Sequence, residues 1–286
     1  MSVETIPLSF NLGVEILGVD LSVPLGADVF EAVRRAFLDS NGLLLFRNQN
    51  ITREQHIAFT RRFGALDTHD AVPLDRHPDY PEILIVANEP VIDGMASNGR
   101  YIGQVWHSDL APSLAPALGS MLRAITIPPV GGDTMFTNMY LAYESLSDGM
   151  KDLISNLHGV HIRGRKSVSP EWEAENRRIN PPIAQPLVRV HPETGRKALY
   201  VGEPVKSFEN MTEEESAGLL GFLISHATRP QLTYRHQWRT NDLLFWDNRC
   251  TMHLALGDYD QSQRRHMERT TLKGAPSGHV CSAAQA

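Results

Sequence analysis

The sequence has few cysteines, no long apolar run and no excess of positive charge, and each absence excludes a class of protein. Among its 286 residues are two cysteines, Cys250 and Cys281, too few for the disulfide framework of a small secreted domain. No stretch approaches the roughly 18 consecutive apolar residues of a membrane-spanning helix, so no membrane segment is predicted. The formal net charge of -6 argues against a surface that binds nucleic acid.

The remaining bulk properties are those of an ordinary globular protein. Residues 1–5 lack the basic and apolar regions of a secretory signal. Together with the low cysteine content, this predicts a protein of the reducing cytoplasm. The length suffices for one large core. We therefore expect a single domain over residues 1–286, with residues 274–286 as a disordered tail.

Helical periodicity and capping signals are present but limited in extent. Thr52 with Gln55 forms a capping-box pattern, and Thr212 precedes three glutamates that suit the positive end of a helix. Apolar residues at helical spacing follow both signals. Helices are predicted over residues 28–40, 52–63, 139–146, 147–157 and 212–226.

Short apolar stretches bounded by glycine and proline predict a larger number of strands. They comprise two strands within residues 9–22 and further strands at 43–46, 83–86, 119–125, 135–137, 186–190, 197–201, 232–238, 242–246 and 267–272. This content indicates a mixed α+β, mainly β fold with a jelly-roll (double-stranded β-helix) core and flanking helices. Residues 160–178 look like an irregular insertion. Residues 67–100, polar and rich in proline and glycine, fit either an active-site lid or a disordered surface loop.

Two stretches far apart in the sequence carry candidate metal ligands. His107 and Asp109 stand two positions apart, which on a strand would place them on one face. His253 follows an apolar run much later, and a jelly-roll can bring early and late strands together. Two histidines and one carboxylate form the facial set of non-haem Fe(II) oxygenases. A His-x-Asp pair alone also arises by chance, and zinc hydrolases use the same ligand types.

Four motifs that follow one another along the sequence make the interpretation of these candidate metal ligands more specific. They are Trp106-His-Ser-Asp, Gly131-Gly-Asp-Thr, the run from Trp246 to His253, and the run from Gln263 to Arg269. Together they resemble the Fe(II)/2-oxoglutarate-dependent dioxygenases of the taurine dioxygenase and (2,4-dichlorophenoxy)acetate dioxygenase family. The resemblance extends from the region of residues 18–21 to Thr271.

The resemblance implies the cofactors and most of the site. Iron would be held by His107, Asp109 and His253, with 2-oxoglutarate and O2 as co-substrates. Thr134 and an arginine would hold the distal carboxylate of 2-oxoglutarate, because a guanidinium matches a carboxylate bidentately.

The arginine that would bind 2-oxoglutarate could be either of two neighbouring residues. Counting forward from His253 selects Arg264, whereas aligning backward from Arg-x-Met-x-Arg selects Arg265. We choose Arg265, since the strand constrains the face more than the loop does. Arg269, four residues on, would face the same way and contact the cofactor or an anionic group of the substrate.

The sequence constrains the identity of the substrate less than it constrains the cofactors. His69 and Val205 match positions that contact substrate in the taurine enzyme, but Val205 replaces a phenylalanine and Pro73 replaces a tyrosine. The expected substrate is a small anion of the sulfonate, sulfate-ester or aryloxy-carboxylate class. Asp109 favours hydroxylation, since halogenases of related fold lack this carboxylate.

Two other function classes stay open on the sequence alone. A zinc hydrolase would use the same three ligands without needing Thr134 and Arg265, and a non-enzymatic jelly-roll binding protein would need no complete triad. Besides its small-molecule substrate, the protein is expected to bind neither nucleic acid nor membrane, and to form a homo-oligomer, a dimer or tetramer as is common in the family.

Overall fold

Helices form where the sequence has capping signals and apolar residues at helical spacing. The computed structural model describes residues 3–70, 75–88, 91–92, 95–96, 103–163 and 176–281. Its helices are α1 (Ala27–Asp39), α2 (Arg53–Arg61), α3 (Met139–Glu144), α4 (Asp148–Ile154) and α5 (Glu213–Ala227). The predicted capping box at Thr52 is present, and the predicted helix start at Thr212 forms a capping box as well: each threonine exchanges hydrogen bonds with the residue three positions later.

The strands occupy most of the predicted apolar stretches. They are β1 (Glu4–Pro7), β2 (Val14–Leu17), β3 (Leu43–Phe46), β4 (Leu84–Ala87), β5 (Val91–Ile92), β6 (Met95–Ala96), β7 (Gly119–Thr126), β8 (Thr134–Asn138), β9 (His158–His161), β10 (Ile183–Pro186), β11 (Val188–Val190), β12 (Lys197–Leu199), β13 (Val205–Phe208), β14 (Thr233–His236), β15 (Leu243–Asp247), β16 (Thr251–Ala255), β17 (His266–Leu272) and β18 (His279–Val280).

A seven-stranded sheet forms the larger wall of the fold, in the order β1-β2-β3-β15-β7-β17-β4. Only the β2–β3 pair of this sheet is parallel. Strand β3 is buried along its whole length. Its side chains alternate between two cores: Leu44 packs on the side of the helices, and Leu43 and Leu45 pack on the opposite side. Coverage on both faces explains why this segment is a continuous apolar run.

The second wall is the three-stranded sheet β14-β8-β16, whose strands pair antiparallel. Phe136 of this sheet packs in one buried cluster with Trp246 and Met267 of the larger sheet. The two sheets therefore enclose the core between them. This confirms the predicted fold class, mixed and mainly β with a jelly-roll core.

Helices and smaller sheets cover the outside of this core. Phe37 of α1 stacks on Phe245 of β15 with ring centroids 3.8 Å apart. The hairpin β11–β12 packs against α3, and the sheet β13-β9-β10-β18 lies beside α5. No helix within the described residues is both long and apolar enough to cross a membrane.

The strand predictions were wrong at several places, and β9 and β13 are among the strands that were not predicted. Only one strand, β2, lies within residues 9–22, and its partner β1 precedes that segment. Strand β16 was not predicted at all, although it carries His253. Its sequence Thr-Met-His-Leu-Ala has no clear alternation of apolar and polar residues.

The segments expected to be irregular are partly ordered. The predicted disordered tail is wrong for its first part, because His279 pairs with Ala184 in a short antiparallel ladder. Residues 160–161 of the predicted insertion belong to β9. Residues 164–175 lie outside the described residues, as do most of residues 89–102, so the choice between a lid and a surface loop for residues 67–100 stays open.

Candidate functional site

The two histidines meet through a backbone bridge between distant segments. The His253 N–H donates to the His107 carbonyl at 2.8 Å, and the His107 N–H donates to the His253 carbonyl at 3.0 Å. Residues that exchange both bonds stand directly opposite in an antiparallel pair, so their side chains project from the same face. The ring centroids are 4.2 Å apart. The bridge explains how residues 146 positions apart in the sequence become neighbours.

Asp109 reaches the histidines by a turn rather than by strand alternation. The prediction that His107 and Asp109 share a strand face was wrong: His107 forms an isolated bridge, and Leu110 has a φ of 53°. The His107 Nε2 and Asp109 Oδ1 atoms lie 3.9 Å apart, as do the His253 Nε2 and Asp109 Oδ2 atoms. One donor atom from each of the three residues lies within 4.8 Å of the others.

Polar neighbours fix the orientation of the carboxylate. Ser120 donates its hydroxyl to Asp109 Oδ2 at 2.7 Å. The Asp109 N–H donates to Asn248 Oδ1 at 3.0 Å, and the Trp246 indole donates to the same oxygen at 3.1 Å. On the other side of the site, His107 Nδ1 lies 2.7 Å from the Val105 carbonyl. When Nδ1 carries the proton, the lone pair of Nε2 is available to bind a metal on the side of the Asp109 carboxylate.

The charge states of Asp109 and His253 suit a cation. Burial alone would raise the pKa of the Asp109 carboxyl, but the Arg269 guanidinium, with His253 and His107, holds that pKa well below its usual range. Burial, and then the proximity of His107, lowers the pKa of His253 well below its ordinary value. The carboxylate is therefore ionised and the His253 imidazole neutral, the forms in which both ligate metals.

Arg269 and His69 lie beside this triad. Arg269 Nη1 donates to Asp109 Oδ1 at 2.6 Å, so its charge is compensated by the carboxylate. His69 is buried with a φ of 54°, and burial followed by the charge of Arg269 lowers its pKa to about 4. Its Nε2 has no hydrogen-bond partner among the described residues. The structure thus places both residues next to Asp109, while the substrate roles predicted for them stay predictions.

Arg265 contacts the turn that precedes Thr134. Arg265 is 6% exposed and donates its Nε to the Gly132 carbonyl at 3.1 Å. Burial lowers its pKa, Tyr259 and Asp133 raise it, and an arginine stays protonated regardless. Thr134 accepts a hydrogen bond from the Trp238 indole at 3.0 Å, which leaves its own hydroxyl proton available.

The two candidate arginines differ sharply in environment. Arg264 is exposed, whereas Arg265 lies inside, next to the turn that precedes Thr134. A Cβ added to Gly132 would come within 3.2 Å of Arg265 Nε, so glycine at this position gives the guanidinium its space. Within the described residues, no carboxylate forms an ion pair with Arg265, because Asp133 pairs with Arg235 at 2.7 Å.

Val205 lies in β13, in a hydrophobic core with Leu223 and Phe208. It packs against the backbone of Gly159, where an added Cβ would be 3.0 Å from Val205 Cγ1. Its predicted contact with the substrate stays a prediction. Pro73 lies outside the described residues.

Comparison with known proteins agrees with this geometry. The family described as taurine catabolism dioxygenase TauD, TfdA family, matches residues 4–271. The chain belongs to the TauD/TfdA family. It is an alpha-ketoglutarate-dependent dioxygenase, as the relatives in this family are.

Three relatives illustrate the range of the TauD/TfdA family. The chain is 34% identical to an alpha-ketoglutarate-dependent 2,4-dichlorophenoxyacetate dioxygenase from Cupriavidus pinatubonensis, over 95% of this chain and 98% of the relative. It is 30% identical to an alpha-ketoglutarate-dependent sulfate ester dioxygenase from Pseudomonas putida, over 96% and 90%. The crystal structure of AAD-2 in complex with Mn(II) and N-oxalylglycine superposes with a TM-score of 0.81 at 32% identity, covering 97% of this chain and 99% of that one.

Sequence reasoning missed the residues that orient the triad of this TauD/TfdA member. Ser120 lies within a strand and gave no signal of its own. Asn248 stood in the quoted motif between Trp246 and His253, and an amide beside a ligand strand could have been recognised as a hydrogen-bonding group for Asp109. The contact to Asp109 itself depends on the tertiary fold.

A second cluster of metal-ligand types, His191, Asp247 and Cys250, has a structural role. Asp247 accepts hydrogen bonds from His191 Nε2 at 3.0 Å and from Arg249 Nη2 at 2.6 Å. The other ring nitrogen of His191 accepts backbone N–H groups, and burial raises the pKa of the Cys250 thiol well above its usual value. The ring nitrogens of His191 and the carboxylate of Asp247 are occupied by these hydrogen bonds. The cluster therefore stabilises the turn between β15 and β16.

We expect Asp247→Asn to destabilise the protein in a pH-dependent way. Burial would raise the pKa of Asp247, but Arg249 and then His191 lower it to about 2. The unfolded pKa is about 3.9, so the ionised carboxylate contributes about 2 to 3 kcal/mol of stability above that pH, and this contribution is lost as pH falls through about 2.

The measurement is urea unfolding of both proteins between pH 7 and pH 2.5. Glu268 also has its pKa lowered to about 2 but is present in both proteins, so it cancels in the difference. The stability difference should shrink as the pH falls below about 4. A difference that is the same at every pH would contradict the assignment.

Proposed function

We propose that this dioxygenase uses Fe(II) and 2-oxoglutarate to hydroxylate a C–H bond of a small anionic organic substrate, with release of succinate and CO2. Where the hydroxylated carbon carries a sulfonate, sulfate or ether oxygen, the product would break its carbon–heteroatom bond. The observation that carries the proposal is the convergence of His107, Asp109 and His253 from distant segments.

The donor set fits Fe(II). Two imidazole nitrogens and one ionised carboxylate oxygen lie on one side of the site, and such a facial set leaves coordination positions for other ligands. Zinc accepts the same donors, but family membership supports the oxygenase. Bound iron would supply the redox chemistry with O2. Ser120 would hold the Asp109 carboxylate in its ligating orientation, and Asn248 would hold the Asp109 backbone.

Arg265 and Thr134 support binding of the 2-oxoglutarate distal carboxylate. Arg265 is a buried cation without a carboxylate partner among the described residues, an arrangement that is costly unless an anion binds there. Thr134 has a hydroxyl proton to donate, since its oxygen already accepts from Trp238. The exposed Arg264 is poorly placed for this role.

The substrate class rests on the relatives and on the hydrogen-bond donors beside the triad. Relatives are named for a phenoxyacetate and for sulfate esters, both of which are anions. In this chain Arg269 and the buried His69 lie beside Asp109, where an anionic substrate would approach. An anion of either type can accept hydrogen bonds from a guanidinium and from a neutral imidazole.

The test is succinate release with phenoxyacetate, hexyl sulfate and hexanesulfonate as probes. At least one probe should raise succinate release several-fold over the basal rate, and only with Fe(II), O2 and 2-oxoglutarate all present. N-oxalylglycine should inhibit the reaction. Conversion of a probe without O2 or without 2-oxoglutarate would instead favour a metal hydrolase and contradict the proposal.

A further inference from the structure

Helix α5 presents an uncharged surface on the outside of the protein. Residues 216–228 contain no Asp, Glu, Lys or Arg. Leu220, Leu223 and Ala227 are buried in the hydrophobic core beneath the helix. A helix that packs on one side usually carries charged and polar residues on the other side. The outer side of α5 lacks those charges over more than three turns, which is typical of a face that another surface covers.

The outer residues of α5 form one continuous face. They are all exposed and recur at spacings of three and four positions: Ala217, Gly218, Gly221, Phe222 and Ser225. We call these five residues the α5 face. Phe222 is 47% exposed, and its ring lies against His226 of the same helix with centroids 5.7 Å apart. The α5 face is therefore a smooth surface with one large apolar side chain.

Two glycines of the α5 face have no role in the packing of the chain itself. Glycine is less favourable than alanine in the middle of a helix. A Cβ added to Gly218 or Gly221 would meet no other atom within 4 Å, so neither glycine makes room for a neighbour. The distance between two packed helices depends on the side chains at their contact. Close approach of a second helix would therefore give both glycines a purpose.

Opposite charges lie at the two ends of the α5 face. Glu214 belongs to the first turn of the helix, and Arg229 follows its last turn; both are exposed. Arg229 donates to the His226 carbonyl and the Ser145 hydroxyl, and among the described residues neither Glu214 nor Arg229 pairs with an opposite charge. Glu214 stands seven positions before Gly221 and Arg229 eight positions after it. The two charges are thus almost equally far from the centre of the face.

Such a face is complementary to itself when two copies run antiparallel. In a two-fold interface both copies contribute the same surface. An axis beside Gly221 brings Glu214 of one copy close to Arg229 of the other at both ends. Phe222 of each copy then lies against the glycines of the other. An unrelated partner would have to supply both charges at matching positions, whereas a second copy supplies them by symmetry.

A second exposed aromatic residue lies near one end of the α5 face. Phe10, in the loop between β1 and β2, is fully exposed. The next residue, Asn11, donates to the carbonyl of Gln231 at 2.6 Å, and Gln231 is two positions beyond Arg229. An apolar side chain is therefore available beside the C-terminal end of α5 to enlarge the area that two copies bury.

We propose that the α5 face is an interface at which two copies of this chain pack antiparallel about a two-fold axis near Gly221. The expected homo-oligomer is built on this contact, with Glu214 of each copy paired with Arg229 of the other. None of these residues belongs to the metal site or contacts Arg265, so the interface is independent of the proposed chemistry.

The test is the molar mass of the full-length protein by light scattering after size-exclusion chromatography, with the dissociation constant from analytical ultracentrifugation. The wild type should be a dimer or a larger even oligomer. Phe222→Glu should halve the mass, because a charge buried without a partner weakens association at least about 100-fold. Val23→Glu, which introduces the same charge at an exposed valine in the loop before α1, is the matched control and should leave the mass unchanged.

Gly221→Gln separates a lost contact from a lost fold. Glutamine is a better helix former than glycine, so the melting temperature of the monomeric variant should not fall below that of the Phe222→Glu monomer. The longer side chain would keep the two helices apart, and association should weaken at least about tenfold.

Exchange of the two end charges tests the antiparallel arrangement. Glu214→Arg alone and Arg229→Glu alone should each weaken association about 3- to 10-fold, since each places like charges together at both ends of the interface. The double variant places opposite charges together again and should recover most of the lost affinity.

Three results would overturn the inference. A wild type that is monomeric would mean that a different partner, or none, covers the α5 face. A Phe222→Glu protein with the mass of the wild type would mean that the copies meet at another surface. A double charge variant that associates no better than the single variants would exclude the antiparallel pairing.

Discussion

Replacing His253 with alanine should abolish succinate formation coupled to substrate. The substitution removes one of three ligand atoms, while the backbone bridge to His107 depends only on main-chain atoms. Loss of a partner that merely orients a metal ligand costs about 10- to 100-fold, so loss of a ligand should cost more than about 100-fold in turnover. His107→Ala should have the same effect, and Asp109→Ala as well.

The measurement is succinate release together with iron content after reconstitution. His279→Ala is the matched control, because that histidine is exposed and bound to Glu209 at the far sheet edge. It should retain full iron content and turnover. A His253→Ala enzyme with unchanged turnover would refute the assignment of the metal site.

Arg265→Ala should raise KM for 2-oxoglutarate on the order of 100-fold, whereas Arg264→Ala should change it less than about threefold. The reason is the environment: Arg265 is buried beside the turn before Thr134, and Arg264 is exposed. Two charge-assisted hydrogen bonds to one carboxylate contribute about 3 kcal/mol or more.

The paired variants make this a comparison within one loop. Both remove the same side chain from adjacent positions, so a general effect of lost positive charge appears equally in both. Thr134→Val should raise KM for 2-oxoglutarate by a smaller factor, about 5- to 20-fold, since it removes one neutral donor. A larger effect for Arg264 than for Arg265 would show that the loop after Tyr259 was aligned wrongly.

Local signals made much of the fold predictable. The capping residues Thr52 and Thr212 begin the helices expected of them. The apolar run over residues 43–46 is the buried strand β3, with a core on each side. In these segments local preference and tertiary burial agree, and the sequence pattern suffices.

Tertiary geometry governs what the sequence could not predict. Strand β16 lacks alternation of apolar and polar residues, because both of its faces are covered. His253 packs against Phe136 and Trp246, and Met252 lies in another hydrophobic cluster. Asp109 is aimed by a turn that includes Leu110 with a positive φ, not by strand periodicity.

The ligand types were nevertheless predictable in advance. Motif order placed His107, Asp109 and His253 in one hypothesis, and the structure brings their donor atoms together. The strand pattern favoured Arg265 over Arg264 from the sequence, and the structure buries Arg265 and exposes Arg264. Motifs thus identify which residues take part, and packing decides which of two neighbours points inward.

Anaerobic titration of the enzyme with Fe(II) and 2-oxoglutarate tests the central claim most directly. A weak visible charge-transfer band should develop and saturate at one equivalent of iron when 2-oxoglutarate chelates the metal. The band should be absent from His253→Ala and should need a higher 2-oxoglutarate concentration in Arg265→Ala. No band in the wild type, or an equal band in His253→Ala, would contradict the account.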